Sequence, residues 1–162
     1  MMSLAKRHTL LPRVMGLTAL SLCIYASAAQ GQMRLDPDCD LKEGSPTSCA
    51  HVIACIGGED LFVGGAVGWE EGTLYGALST GAQCTGSWNN ADAAAEFTCD
   101  DNLRGTVRYH LVDGLTGTAV GSGLTRAGRD IQAWSGNQVA QYIFNQTGEV
   151  VLQCGVNIVP VS

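Results

Sequence analysis

Residues 82–100, AQCTGSWNNADAAAEFTCD, constrain the chain more tightly than any other stretch. Alternate residues of a strand share a face. Cys84 therefore sides with Ala82, Gly86 and Trp88, while Gln83, Thr85 and Ser87 point away. On the far side Cys99 sides with Phe97 and Ala95, opposite Thr98, Glu96 and Asp100. Asn89, Asn90 and Asp92 between the two segments are turn formers. A symmetric hairpin sets Cys84 against Cys99, Gly86 against Phe97 and Trp88 against Ala95. A ring lying over a cross-strand glycine is a pairing device. A disulfide between the two cysteines closes a loop of roughly 15 residues, worth about 3 kcal/mol in the chain-entropy model.

The remaining segments repeat this chemistry. Short alternating runs at 51–56, 61–69, 73–80, 106–112, 116–125, 131–135, 139–144 and 150–158 are separated by Gly, Asn and Asp turns. In segment 106–112 the alternation turns Val107, Tyr109 and Leu111 inward, and Asp113-Gly114 reads as a hairpin turn into 116–125. No window after the N-terminal segment carries a helical period over ten residues. About eight or nine short strands with turn punctuation predict an all-β chain, a small antiparallel barrel or sandwich. Glycines inside the strands suit sharp bends at barrel corners.

The N-terminus reads as a targeting segment, residues 1–29. Lys6, Arg7 and Arg13 precede an apolar run, VMGLTALSLCIY, and then Ala26-Ser27-Ala28-Ala29. Cleavage after Ala28 or Ala29 removes Cys23. Residues 30–48 are polar and turn-rich, with Pro37 and Pro46, and 49–162 form a single β domain. The expected location is periplasmic or secreted. Six basic residues then face fifteen acidic ones, a net charge of −9. Such a chain repels nucleic acid and anionic membrane surfaces. The short strands and sparse aromatics do not suit a membrane-spanning barrel.

Six cysteines remain: Cys39, Cys49, Cys55, Cys84, Cys99 and Cys154. An even number in an exported chain suits three disulfides. Cys84–Cys99 is the firmest pair. Cys39–Cys49 with Cys55–Cys154 is one completion, and Cys39–Cys55 with Cys49–Cys154 is another. Zinc is a poor fit, with no C-x-x-C and with His51 and His110 on different strands. Asp36, Asp38 and Asp40 alternate like the start of a calcium loop, but the sixth and twelfth positions hold Leu41 and Thr47. No metal or cofactor is expected.

Few residues suggest chemistry. Glu70 and Glu71 beside Trp69 form a carboxylate pair of the kind that serves small hydrolases, yet strand neighbours point opposite ways. Gly121-Ser122-Gly123 lacks the strand–turn–helix setting of a nucleophile elbow. His110 has no nameable orienter. Asn145-Gln146-Thr147 fits the glycan acceptor pattern, but the targeting segment looks bacterial. Trp134-Ser135-Gly136 with Tyr142 can form a presented loop that recognises a protein or cell-envelope partner by shape. The expectation is a non-enzymatic binding module, with a hydrolase using Glu70 or Glu71 as one rival.

Two resemblances add to this reading. The pattern Gly76-x-Leu78-x-x-Gly81-x-x-Cys84-x-Gly86, Phe97-x-Cys99-Asp100 and Gly117-x-x-x-Gly121-x-Gly123 resembles that of small exported proteobacterial β proteins of uncharacterised function. It implies a β fold and export, and no activity. The run Phe97-x-Cys99, Val107-x-Tyr109, Trp134-Ser135-Gly136 and Tyr142 is similar to periplasmic inhibitors of c-type lysozyme. That resemblance implies a β-barrel whose Ser135-Gly136 loop enters a lysozyme cleft. Tyr142 stands later after Gly136 than the family's spacing.

Overall fold

The computed structural model describes residues 33–160. The targeting segment expected at 1–29 lies outside the described residues, as does the C-terminal pair 161–162. Residues 33–48 contain turns but no helix or strand. Eight strands then follow in order: β1 (Cys49–Ile56), β2 (Asp60–Trp69), β3 (Glu71–Leu78), β4 (Gln83–Asn89), β5 (Ala94–Cys99), β6 (Arg104–Val112), β7 (Ala119–Thr125) and β8 (Asp130–Ser135). Each pairs antiparallel with the next, and β8 returns to β1, so the sheet closes as an up-and-down barrel. Closure leaves the barrel sheet without an edge. Between the barrel and a sandwich, the structure decides for the barrel.

The β4–β5 register is the one expected: Cys84 opposite Cys99, Gly86 opposite Phe97 and Trp88 opposite Ala95. Several large inward side chains are matched with glycine across the ladder. Trp88 also faces Gly72, Leu74 faces Gly86, Phe97 faces Gly105 and Tyr109 faces Gly121. Two of the inward glycines permit close approach of backbones. A Cβ on Gly123 would stand 1.8 Å from the Thr106 carbonyl oxygen, and one on Gly72 would stand 1.9 Å from that of Val67. These positions let a small barrel curl tightly while its rings fill the interior.

The barrel has two apolar clusters, one on each side of the sheet. Val52, Ile56, Phe62, Leu74, Leu78, Phe97, Val107 and Ile131 pack inside with the Cys84 and Cys99 sulfurs. Ile53, Leu61, Val63 and Val120 point outward and are covered by Val139, Tyr142, Ile143 and Val159. The covering layer corrects two sequence expectations. Segment 139–144 is not a strand but part of a helix, α1 (Val139–Thr147). Its β-branched and aromatic residues have strand propensity. However, Val139, Tyr142 and Ile143 at i, i+3 and i+4 form one buried stripe, and burial against the barrel outweighs propensity. Gly148 ends the helix in the left-handed region, φ 73°, its N–H donating to the Phe144 carbonyl.

Segment 150–158 is not one strand but a hairpin, β9 (Val151–Cys154) and β10 (Asn157–Pro160), reversing at Gly155 with φ 61°. The segment from Asp113 likewise differs. It is a loop over 113–118, closed by Asp113 N–H to Thr118 O at 2.8 Å, and β7 begins only at Ala119.

Three disulfides join Cys39–Cys49, Cys55–Cys154 and Cys84–Cys99. The second ties the β9–β10 hairpin to the outer face of β1 across a separation of 99 residues. At the same end, Arg129 holds two strand connections together. It pairs with Asp60 at 2.8 Å and donates to the Ile56 carbonyl at 3.0 Å.

Candidate functional site: the open end of the barrel

The two ends of the barrel differ. One is plugged by the Cys84–Cys99 bridge with Leu78, Ile56 and Ile131. The other opens into a cup of about 870 Å³. Its wall is built from the inward residues nearest the mouth: Ala50, Val52, Ala66, Leu74, Trp88, Ala95, Tyr109, Ala119 and Ser135. Every barrel strand contributes at least one of them. Small residues make the space. Where alanine lines the wall, a larger side chain would fill it.

The inner part of the cup is uncharged. Tyr109 is half-buried in the wall, and burial pushes its phenol up to about 12, an effect offset in part by a hydrogen bond with Ser135. The phenol therefore stays protonated at any ordinary pH. Trp88 carries a buried indole N–H with no partner among the described residues. Beneath the cup, a small apolar cavity of about 20 Å³ shares Val52, Leu74, Ala95 and Tyr109 as walls. Without polar partners such a space stays dry.

Polar groups gather at the mouth: Glu70, Asn89, Asn90, His110 and Asn137. Glu70 holds a positive φ of 67° in the tight connection between β2 and β3, fixed by Asn90 N–H donating to its carbonyl at 2.7 Å. With its amide turned to satisfy both contacts, Asn137 accepts from Leu41 N at 2.7 Å and donates to Cys49 O at 3.1 Å. It thereby pins the N-terminal segment to the rim. Among the described residues no lysine or arginine lines the cup.

A bulge shapes the rim. Tyr109 pairs with Gly121, but Leu111 pairs with Val120, so β6 has one extra residue there. The extra residue moves Leu111 off the inward face expected for it and leaves it exposed. His110 turns to the cup instead of the outer polar face.

The sequence-derived candidates separate. Ser135 ends β8 and lines the cup with Gly136, whose N–H donates to the His51 carbonyl at 2.9 Å. Trp134 and Tyr142 belong instead to the outer cluster, and Tyr142 is buried there on α1. The four residues thus do not form one presented loop. Glu70 lines the cup, while Glu71 accepts from Asn89 Nδ2 at 3.1 Å. Asp36 is occupied as a latch. Its carbonyl is 2.8 Å from His51 Nε2, and its carboxylate accepts from Asp38 N at 2.9 Å and Tyr75 Oη at 3.3 Å.

Comparison with family models, curated proteins and solved structures found no match.

Sequence reasoning missed the cup because its wall is not a motif. Val52, Leu74, Trp88 and Tyr109 are separated along the chain and meet only when β1 and β8 close.

Proposed function

We propose that the protein is an exported, non-enzymatic binding module that holds one small, mainly apolar ligand in the open end of its barrel. The cup of about 870 Å³ carries this reading. It falls within the range of small-molecule sites, and such sites join apolar walls to a few placed polar groups. An eight-stranded barrel is just wide enough to be filled by side chains or to hold one small ligand. Here the closed end is filled and the open end is not. Three disulfides support an oxidising compartment, periplasmic or extracellular.

The test is titration with the uncharged apolar fluorophore N-phenylnaphthylamine. Saturable one-site binding is expected, with a change in tryptophan emission because Trp88 and Trp69 stand at the cup. Ala50→Phe fills the space and should abolish binding while leaving the circular dichroism of the barrel intact. Absence of saturable binding, or binding indifferent to Ala50→Phe in a folded variant, would reject the reading.

A further inference from the structure

Five of the eleven exposed large hydrophobic side chains among the described residues gather at the open end of the barrel, while Tyr75, Leu124, Phe144, Val150, Val156 and Ile158 lie away from it. Leu41 at 59%, Trp69 at 39%, Leu111 at 50%, Val112 at 66% and Leu115 at 86% all belong to the rim or to its 113–118 loop. Isolated exposed apolar residues are ordinary on a protein surface, but a group around one opening marks an interaction site. Here the apolar surface continues from the rim down the wall of the cup.

Polarity follows a gradient along the same path. Val52, Leu74 and Ala95 form the inner wall, beside Tyr109 and Ser135. Trp88 sits one residue inside Asn89, and Asn89, Asn90 and Asn137 ring the mouth. The charge at the mouth is acidic, from Glu70 and from Asp113 at the base of the loop; His110 lines the mouth as well, and among the described residues no lysine or arginine does.

Resting on the reading of the cup as a ligand site, we propose that the ligand is the single acyl chain of a zwitterionic or neutral lipid, taken tail-first from a lipid surface on which the apolar rim sits. The tail lies along the inner wall toward the small dry cavity below. The head group stays at the mouth, beside Asn90 and Gln138. Tryptophan and aliphatic side chains suit the boundary between water and hydrocarbon. The acidic rim opposes anionic surfaces, so the preferred surface carries no net charge. The outward faces of β3–β6 carry Thr73, Thr85, Ser87, Glu96, Thr98 and Arg104. They do not offer the apolar band of a lipid-facing barrel, so contact is confined to the mouth.

The experiment combines vesicle flotation with recovery of bound lipid. The wild-type chain should float with phosphatidylcholine vesicles, float less as phosphatidylglycerol is added, and retain lysophosphatidylcholine through gel filtration. Leu115→Asp, which lies outside the cup lining, should reduce flotation at least tenfold and leave N-phenylnaphthylamine binding in solution unchanged. If the fluorophore binds the cup but flotation is absent, rises with anionic lipid or ignores the rim substitution, the proposal fails while the ligand site stands. Dimerisation abolished by Leu115→Asp would assign the rim to a second copy and would also overturn it. Loss of all fluorophore binding in the wild-type chain would reject the underlying site.

Discussion

Tyr109 lies directly across the β6–β7 ladder from Gly121, its Cδ1 2.9 Å from where a Cβ on that glycine would stand. The ring occupies space that any other residue at 121 would claim. The same relation recurs along the strands, with glycine serving either a neighbouring ring or a neighbouring backbone.

Gly123 is the severest case, because what it approaches is backbone. Gly123→Ala sets a methyl group 1.8 Å from the Thr106 carbonyl, and a main-chain oxygen in a closed ladder cannot rotate away. We expect a loss of about 3 kcal/mol or more, at the upper end of overpacking costs. Gly114→Ala meets nothing within 4 Å and should change stability by less than about 0.5 kcal/mol. Urea denaturation of the two variants checks the contrast.

Tyr109 gives the fold an alkaline limit. A phenol near 10.0 in the unfolded chain is raised to about 12 in the folded one by burial. Between those values the unfolded chain has lost the proton and the native chain still holds it. The stabilisation is therefore complete below pH 10 and is lost as pH rises through 12, to a total of about 2–3 kcal/mol. Alkaline unfolding should shift upward in Tyr109→Phe, and an unchanged midpoint would contradict this placement of the phenol.

The loop at the mouth has an acid limit. Asp113 accepts from the Thr116 hydroxyl at 2.7 Å and from its N–H at 2.8 Å, and these bonds hold its carboxyl below the ordinary 3.8. The stabilisation is present above 3.8 and fades as pH falls through the lower native value. Hydrogen exchange of residues 113–118 should accelerate in that window. In Asp113→Asn the loop should exchange faster at neutral pH and show no further acid step.

The disulfides should differ in weight. By loop length, removing Cys55–Cys154 as the double Ser variant should cost about 4–5 kcal/mol, against about 3 for Cys84–Cys99. The first loss should also release the β9–β10 hairpin from β1. Its amides should then exchange well before those of the barrel, a pattern the second variant should not show.

How far the sequence led depended on whether a residue's partner lay nearby in the chain. The β4–β5 register was legible because the alternation and the turn residues lie within one segment. Alternation alone misplaces Leu111, because a bulge is a mismatch between two strands, visible only when β6 is laid against β7. Residues 139–144 were misread because their side chains suit either period. What decided between them was the apolar outer face of β1 and β2, which offers a surface for Val139, Tyr142 and Ile143. Trp134-Ser135-Gly136 was read as one loop with Tyr142, yet Ser135 faces the cup while Trp134, its neighbour, takes the outer face, as strand alternation requires.

Short alternating segments, turn residues between them and an even set of cysteines were enough to determine an all-β, disulfide-bonded domain, because local geometry and covalent pairing are written in spacing. That β8 closes on β1, that one end is plugged and the other open, and that apolar side chains ring the opening were decided only in three dimensions. Val52, Trp88 and Tyr109 become one wall through hydrogen-bonded closure of eight strands. The volume they enclose depends on which inward positions are glycine or alanine at each level of the barrel, a property of the closed sheet and of no single segment.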